Sequence, residues 1–310
     1  DMPNASTNLE LVPLELEGPQ DAFDEAVHGV EWVFHTASPV PLYVPKDEKT
    51  VIGPAVKGTL DMLRAASKTA TVSKFILTSS CAAIEGGHED KKSFTEEDWT
   101  NVNAPHVSAY EKSKTLSEKA AWKFMEDNIP SFTLTVINPV DVVGPIPSAQ
   151  IKSSSEILAR ILRAQDPGTF NMFCPLVDIR DVVKAHIHAA AIPEAAGKRF
   201  ILCQSDGEEI FMPQISEVLK REFGPMGYTI RTIVLPKWFA WLLSWVDGEV
   251  AFAYATIDNT MHYDYTRSRE VLRINYIPTE QTIIDGGHSL IEHGVIPKKA
   301  GYKGRSSKSD

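Results

Sequence analysis

Lys74-Phe75-Ile76-Leu77-Thr78-Ser79-Ser80 is a short apolar run that ends in three hydroxyl residues. An unbroken apolar run of this length reads as a strand buried on both faces, the habit of parallel sheets. Its polar end then falls at the carboxyl end of the strand, where open α/β sheets bind their ligands. A polar strand end that merely caps a turn has the same local sequence, so the reading depends on what faces it.

What faces it is Tyr110-Glu111-Lys112-Ser113-Lys114, in a segment from Ala109 to Phe124 with apolar residues at helical spacing (Leu116, Ala120, Phe124) and no Pro. Side chains four apart share a helix face, so Tyr110 and Lys114 point at one small volume. A free Tyr titrates near pKa ~10, and a fixed cation beside it favours phenolate and brings it toward working range for proton transfer. A solvated pair has the same spacing. With a Ser at the strand end opposite, three parts come together: a hydroxyl to hold a carbonyl oxygen, a phenol to deliver a proton and an ammonium to tune it.

The flanking sequence alternates strand and helix patterns, the mark of a parallel sheet with crossover helices. Helices are expected over Asp21–Val27, Thr50–Ala70 and Ser108–Asn128, and strands over Leu9–Leu14, Trp32–Thr36, Phe75–Ser79 and Thr133–Asn138. After Gly144-Pro145-Ile146-Pro147 the pattern changes. Helices are expected over Glu156–Ala164, Val182–Ala191 with Asp181 as N-cap, and Pro213–Phe223 with Pro in its first turn, and a strand over Arg199–Cys203. The Trp- and Tyr-rich last third lacks regular alternation and is expected to form a smaller lobe.

Composition narrows the function classes. The 310 residues, 43% hydrophobic, suffice for a sizeable core. A net charge of −10 argues against nucleic-acid and anionic-membrane surfaces. Cys81, Cys174 and Cys203 are far apart and form no C-x-x-C, so neither zinc site nor disulfide framework is implied. Cys81 follows Ser80 directly and lies either near the site or packed as an ordinary thiol. None of the nine histidines lies in H-E-x-x-H, and His186 and His188, two apart on a helix, face different ways; no metal is expected. Lys237–Val246, with Trp238, Trp241 and Trp245, spans half the ~20 residues a membrane crossing needs and reads as a core or pocket-lining helix. Glu96-Glu97-Asp98 reads as a solvated acidic turn, and Asn4-Ala5-Ser6 as a chance glycosylation pattern. No basic and apolar leader opens the sequence, and a cytoplasmic location is expected.

Six motifs in order, Val33–Pro39, Pro54–Leu60, Leu77–Ser80, Tyr110–Lys114, Asn138-Pro139 with Gly144-Pro145, and Val177–Val182, make the chain resemble the extended short-chain dehydrogenases/reductases. Within them it is similar to the dihydroflavonol-reductase-like and aldehyde/ketone-reductase-like branch. The resemblance implies a Rossmann-like, doubly wound parallel sheet with a smaller C-terminal substrate lobe. The dinucleotide-binding domain would cover 1–147 and 176–206, the substrate lobe 148–175 and 207–300, with a polar, frayed tail over 301–310. Such reductases begin with a strand, a Gly-rich turn and a helix whose N-terminus holds pyrophosphate. No G-x-x-G-x-x-G or G-x-G-x-x-G occurs here. Leu9–Leu14 resembles the family's third strand, so the sheet is expected to be N-terminally incomplete.

The resemblance assigns Ser80 as the catalytic hydroxyl, Tyr110 as the proton donor, and Lys114 as the cation that also holds the nicotinamide ribose. It places Thr36, Ala37, Ser38 and Ser79 beside the cofactor, Glu15-Leu16 against adenine, Pro139 and Val142 beside the nicotinamide, and Ser154 near a phosphate. Asp141 is a charge the family pattern does not contain. The cofactor implied is NADP, with NAD as the alternative, and the partner a small carbonyl or alcohol acted on by a monomer or homodimer. The activity implied is reduction of a ketone or aldehyde by hydride transfer, or the reverse. Two other readings are a nucleotide-sugar epimerase or dehydratase, although Ser80-Cys81-Ala82-Ala83 lacks the dehydratases' Asp-Glu pair, and a truncated, catalytically silent member of the fold.

Overall fold

The computed structural model describes residues 5–40, 45–151, 154–204, 210–243, 245, 254 and 256–305. The chain opening at Asp1–Asn4, Val246 of the Trp-bearing stretch and residues 306–310 of the expected tail lie outside the described residues. In chain order the first half runs α1 (Ala5–Asn8), α2 (Gln20–Ala26), β1 (Trp32–His35), α3 (Lys49–Lys68), β2 (Lys74–Thr78), β3 (Ser93–Phe94), α4 (Ala109–Asn128) and β4 (Thr133–Pro139). The second half runs β5 (Asp141–Val143), α5 (Ser155–Leu162), β6 (Leu176–Asp178), α6 (Ile179–Ala191), β7 (Arg199–Leu202), α7 (Met212–Phe223), α8 (Lys237–Leu243), β8 (His262–Tyr263), α9 (Thr266–Glu270) and α10 (Thr279–Glu292).

β1, β2, β4 and β7 form one sheet in the order β1-β2-β4-β7, every pair parallel. Successive strand side chains point to opposite faces, and β2 shows the consequence. Phe75 and Leu77 join a core with Phe23 of α2, Leu63 of α3 and Ala121 of α4. Ile76 joins the opposite core with Val182 and Ala185 of α6 and Phe200 and Leu202 of β7. Helices therefore cover both faces, and the doubly wound α/β architecture read from the sequence is present. A third core, with Leu158 of α5, Leu219 and Phe223 of α7 and Leu290 of α10, packs these helices together. No helix among the described residues is long and apolar enough to cross a membrane.

Several sequence expectations are corrected. Leu9–Leu14 is not a strand. No strand among the described residues pairs with it, Leu9, Leu11 and Val12 are exposed, and Leu14 alone packs against a core. Asp178, not Asp181, caps α6: its side chain accepts from Arg180 N at 2.8 Å. Asp181 is buried within the first turn, where it accepts from Ile277 N at 2.7 Å. The acidic turn is not solvated throughout. Glu96 is buried and accepts from Ile201 N at 3.2 Å, because β7 brings that amide and Arg199 to it. The Trp-bearing helix is not core: Trp238, Trp241 and Trp245 are 63%, 49% and 74% exposed. The start of the expected loose tail is docked, with Tyr302 Oη hydrogen-bonded to His288 Nδ1 at 2.8 Å and Arg305 paired to Asp285 at 2.5 Å.

Candidate active site

β2 delivers Thr78, Ser79 and Ser80 to the carboxyl edge of the sheet. Ser79 N bonds Ile137 O at 2.8 Å, which carries the β2–β4 ladder one residue beyond the strand. Ser80 is extended (φ −163°, ψ 159°) and caps the short 3-10 turn Cys81–Ala83, its hydroxyl accepting from Ala82 N at 3.1 Å. The chain thus turns sharply at Ser80, which presents its side chain outside the strand end.

α4 is positioned by a capping box. Ser108 Oγ accepts from Glu111 N at 3.2 Å while Glu111 Oε2 accepts from Ser108 N at 2.7 Å. The S-x-x-E pattern is visible in the sequence and satisfies two amides of the first turn reciprocally. Tyr110 lies in that same turn, so the cap also fixes the phenol. One turn later Lys114 is buried, its ammonium 5.8 Å from the centre of the Tyr110 ring and 3.4 Å from Thr78 O. The Ser80 hydroxyl lies beside the Tyr110 phenol and favours its ionised form. The structure therefore brings Ser79, Ser80, Tyr110 and Lys114 together at one strand end.

The electrostatics differ from the sequence expectation. Burial raises the Tyr110 pKa above its ordinary value; the Ser80 hydroxyl opposes this, and nearby Asp141 and Glu85 add to it. Lys114 does not dominate the phenol's titration, because the phenol is desolvated and faces two carboxylates. Lys114 itself is brought down to about 8 by burial, with Glu118 acting in the opposite direction. Burial and the Lys114 charge together hold His35, at the end of β1, at about 4; its ring lies 3.4 Å from Thr59 Oγ1.

Of the other expected residues, Thr36, Ala37 and Ser38 directly follow β1, level with the same edge of the sheet. Pro139 ends β4 opposite Leu202, and Val142 lies in β5 opposite Val177. Ser154 donates to Asp141 Oδ1 at 2.8 Å, so the charge foreign to the family pattern is held at this edge. Leu16 packs against Gly58 of α3, where a Cβ would stand 2.6 Å from Leu16 Cδ2; Glu15 is exposed. Cys81 is a packed thiol that donates to Asn138 O at 3.2 Å, and burial pushes its pKa well up. His186 and His188 have separate partners, Thr78 Oγ1 at 2.7 Å and Leu272 O at 2.6 Å.

Sequence reasoning missed Glu85 and Glu118, and named Asn138 only within a motif, without a role. Glu85 follows the Ser80 turn and accepts from the Tyr263 hydroxyl; burial raises its carboxyl to about 7. Asn138 Nδ2 bridges Ser80 O at 3.1 Å and Glu118 Oε2 at 2.9 Å. For Glu118 a signal existed, since it stands four residues after Lys114 on the same helix face.

Residues 18–204 match the sequence profile of the 3-beta hydroxysteroid dehydrogenase/isomerase family. The chain is 33% identical over 241 residues to the NADPH-dependent methylglyoxal reductase GRE2 of Saccharomyces cerevisiae, covering 72% of this chain and 69% of that one. It is 30% identical over 298 residues to tetraketide alpha-pyrone reductase 1 of Arabidopsis thaliana, covering 94% and 82%. The crystal structure of yeast methylglyoxal/isovaleraldehyde reductase Gre2 complexed with NADPH superposes with a TM-score of 0.73 at 27% identity, over 91% of this chain and 83% of that one. With the parallel sheet, the Ser80 turn and the Tyr110/Lys114 helix in place, the chain belongs to the extended short-chain dehydrogenases/reductases and, within them, to the 3-beta hydroxysteroid dehydrogenase/isomerase family.

Proposed function

We propose that this chain is an NADPH-dependent reductase of small carbonyl compounds, aldehydes or ketones, acting also in reverse on the alcohol. The observation that carries the reading is the convergence of Ser80, Tyr110 and Lys114 at the carboxyl end of β2. The names of the relatives, methylglyoxal and alpha-pyrone reductases, support the reaction class. The residues present fit the nicotinamide end of such a cofactor. Among the described residues Ser79 Oγ is buried without a hydrogen-bond partner, and Lys114 reaches only one carbonyl, at 3.4 Å. Both therefore have bonding capacity left for ribose hydroxyls. Thr36, Ala37, Ser38, Pro139, Val142 and Ser154 would line the same cofactor, with Glu15 and Leu16 toward its adenine.

NADPH, when bound, supplies the hydride. The Ser80 hydroxyl holds the substrate oxygen and Tyr110 donates its proton to it. Because burial raises the Tyr110 pKa, the phenol is protonated at neutral pH and can act as the acid. The phenolate left behind is stabilised by the Ser80 hydroxyl and the Lys114 charge beside its ring. The test is NADPH oxidation with methylglyoxal and isovaleraldehyde. Tyr110→Phe keeps the ring and removes the proton, so turnover should fall about 10²-fold or more, with the circular dichroism spectrum unchanged. Absence of turnover in the wild type, or its survival in Tyr110→Phe, would overturn the proposal.

A further inference from the structure

Glu118 lies one helical turn beyond Lys114 and is fully buried, with Lys114 itself only 5% exposed. Both of its oxygens are held. Oε1 accepts from Arg199 Nε at 2.5 Å and from Trp122 Nε1 at 3.3 Å, and Oε2 accepts from Asn138 Nδ2 at 2.9 Å and from Arg199 Nη2 at 3.4 Å. The same Asn138 nitrogen reaches Ser80 O at 3.1 Å, so the carboxylate is two hydrogen bonds from the Ser80 turn. Arg199 does not depend on Glu118 alone. Its Nη1 donates to Glu96 O at 2.7 Å and Asp98 O at 2.6 Å, and its guanidinium stacks 3.8 Å from the Trp99 ring centre. Lys114, in contrast, makes no ion pair within 4 Å among the described residues, and its one hydrogen bond there is the long one to Thr78 O. A buried ammonium without a counter-charge is costly.

We propose that Glu118 is a positioning residue for the site: clamped by Arg199 and Asn138, its carboxylate is the fixed counter-charge of the Lys114 ammonium and anchors the backbone at Ser80. The inference rests on the reductase reading for its functional meaning, while its physical content concerns Lys114 alone. The groups around Lys114 leave that part to Glu118. β1 contributes His35, neutral at pH 7, whose ring in turn meets the Thr59 hydroxyl of α3. β2 contributes the Thr78 carbonyl, α4 the Tyr110 ring, and β7 the cation Arg199. Asp141 and Glu85 stand on the Tyr110 side. Burial lowers the Lys114 pKa and Glu118 opposes it, so the geometric and electrostatic observations agree.

The experiment follows the Lys114 side-chain carbon by NMR in protein enriched with ¹³C-lysine, the resonance being assigned by its loss in Lys114→Met. Glu118→Gln should move the Lys114 titration midpoint down by about one pH unit, a tenfold change in proton affinity. Arg199→Met removes a cation while keeping the carboxylate, and should leave the midpoint in place or raise it. Glu126→Gln, an exposed carboxylate of the same helix, should not move it. Where Glu118→Gln fails to fold because Arg199 is left unpaired, the double variant Glu118→Gln/Arg199→Met should titrate below Arg199→Met alone. A midpoint unmoved from wild type in folded Glu118→Gln, or from Arg199→Met in the double variant, overturns the proposal. In turnover assays the alkaline limb of kcat should move to lower pH with the NMR midpoint. An NMR shift in a protein that oxidises no NADPH would leave Glu118 as the counter-charge and refute the reductase reading instead.

Discussion

Asp141 was legible in the sequence as a charge out of place, and the structure makes it a neighbour of the proton donor. Burial raises its own pKa despite the hydrogen bond from Ser154, and its charge raises that of Tyr110. Two outcomes follow for Asp141→Asn. The Tyr110 phenol should titrate at lower pH, read by ultraviolet titration of tyrosinate against a Tyr110→Phe reference. The variant should also be more stable than the wild type at neutral pH. A carboxyl whose folded pKa is raised holds its proton more tightly when folded, so ionising it costs stability above the unfolded value of about 3.9. The difference should vanish in acid below that value, which urea unfolding at two pH values would show. The Tyr110/Lys114 pair was readable because its spacing is local, and Ser80 because it ends an apolar run. Glu85 was not, because nothing in its neighbourhood in the sequence announces Tyr263, 178 residues away.

α10 was the element the sequence concealed. Its buried face carries Thr282, Gly286, Gly287 and Ser289 beside Ile283 and Leu290, so its apolar periodicity is diluted by small and polar residues. The small residues allow close approach instead. A Cβ at Gly287 would lie 2.5 Å from Phe223 Cε2 of α7, and one at Gly286 would lie 2.8 Å from Leu158 Cδ1 of α5. Gly287→Ala should therefore destabilise the protein by about 1–3 kcal/mol through overpacking, although alanine is the better helix former. Chemical denaturation checks this, and a stabilised variant would mean that the Phe223 ring moves aside freely. α4 is the opposite case. Its capping box and its Tyr110/Lys114 face are written within one stretch of chain, and its extent, Ala109–Asn128, differs from the sequence expectation only in Ser108, which is the cap.

A charged node ties α6 to α10. Arg180 at the start of α6 pairs with Asp178 at 2.7 Å and with Asp285 of α10 at 2.8 Å, and Arg305 reaches Asp285 from the far end of the described chain. Thr282 adds a 2.8 Å bond to Asp178. Burial alone would raise the Asp178 pKa, but the Arg180 and Thr282 bonds outweigh it and leave it lowered. Its stabilisation is thus present above the unfolded carboxylate value of about 3.9 and is lost as pH falls through the lower folded value. Arg180→Met removes the cation shared by two buried carboxylates, leaving Asp178 with Thr282 and Asp285 with Arg305. It should cost about 1–3 kcal/mol at neutral pH, since Arg180 is partly solvated, and less in acid. Thermal melts at both pH values test this. An equal loss at both would assign the effect to packing of the Arg180 stem.

The sequence by itself determined the alternation that yields a doubly wound parallel sheet, the strand end at Ser79-Ser80 and the Tyr110/Lys114 pair. Each of these is set by neighbours within a few residues: side-chain period, the polar end of an apolar run, i,i+4 geometry. Tertiary structure decided which charges are buried and which apolar groups are not. The buried Glu96 carboxylate is met by Ile201 N from 105 residues away, and that of Glu118 by Arg199 across 81. Leu9–Leu14 stays out of the sheet because no strand among the described residues pairs with it. Whether Tyr110 is more or less acidic than a free phenol was also decided there. The local pairing with Lys114 favours the phenolate, whereas desolvation and two carboxylates brought in by the fold favour the protonated form, and their sum prevails.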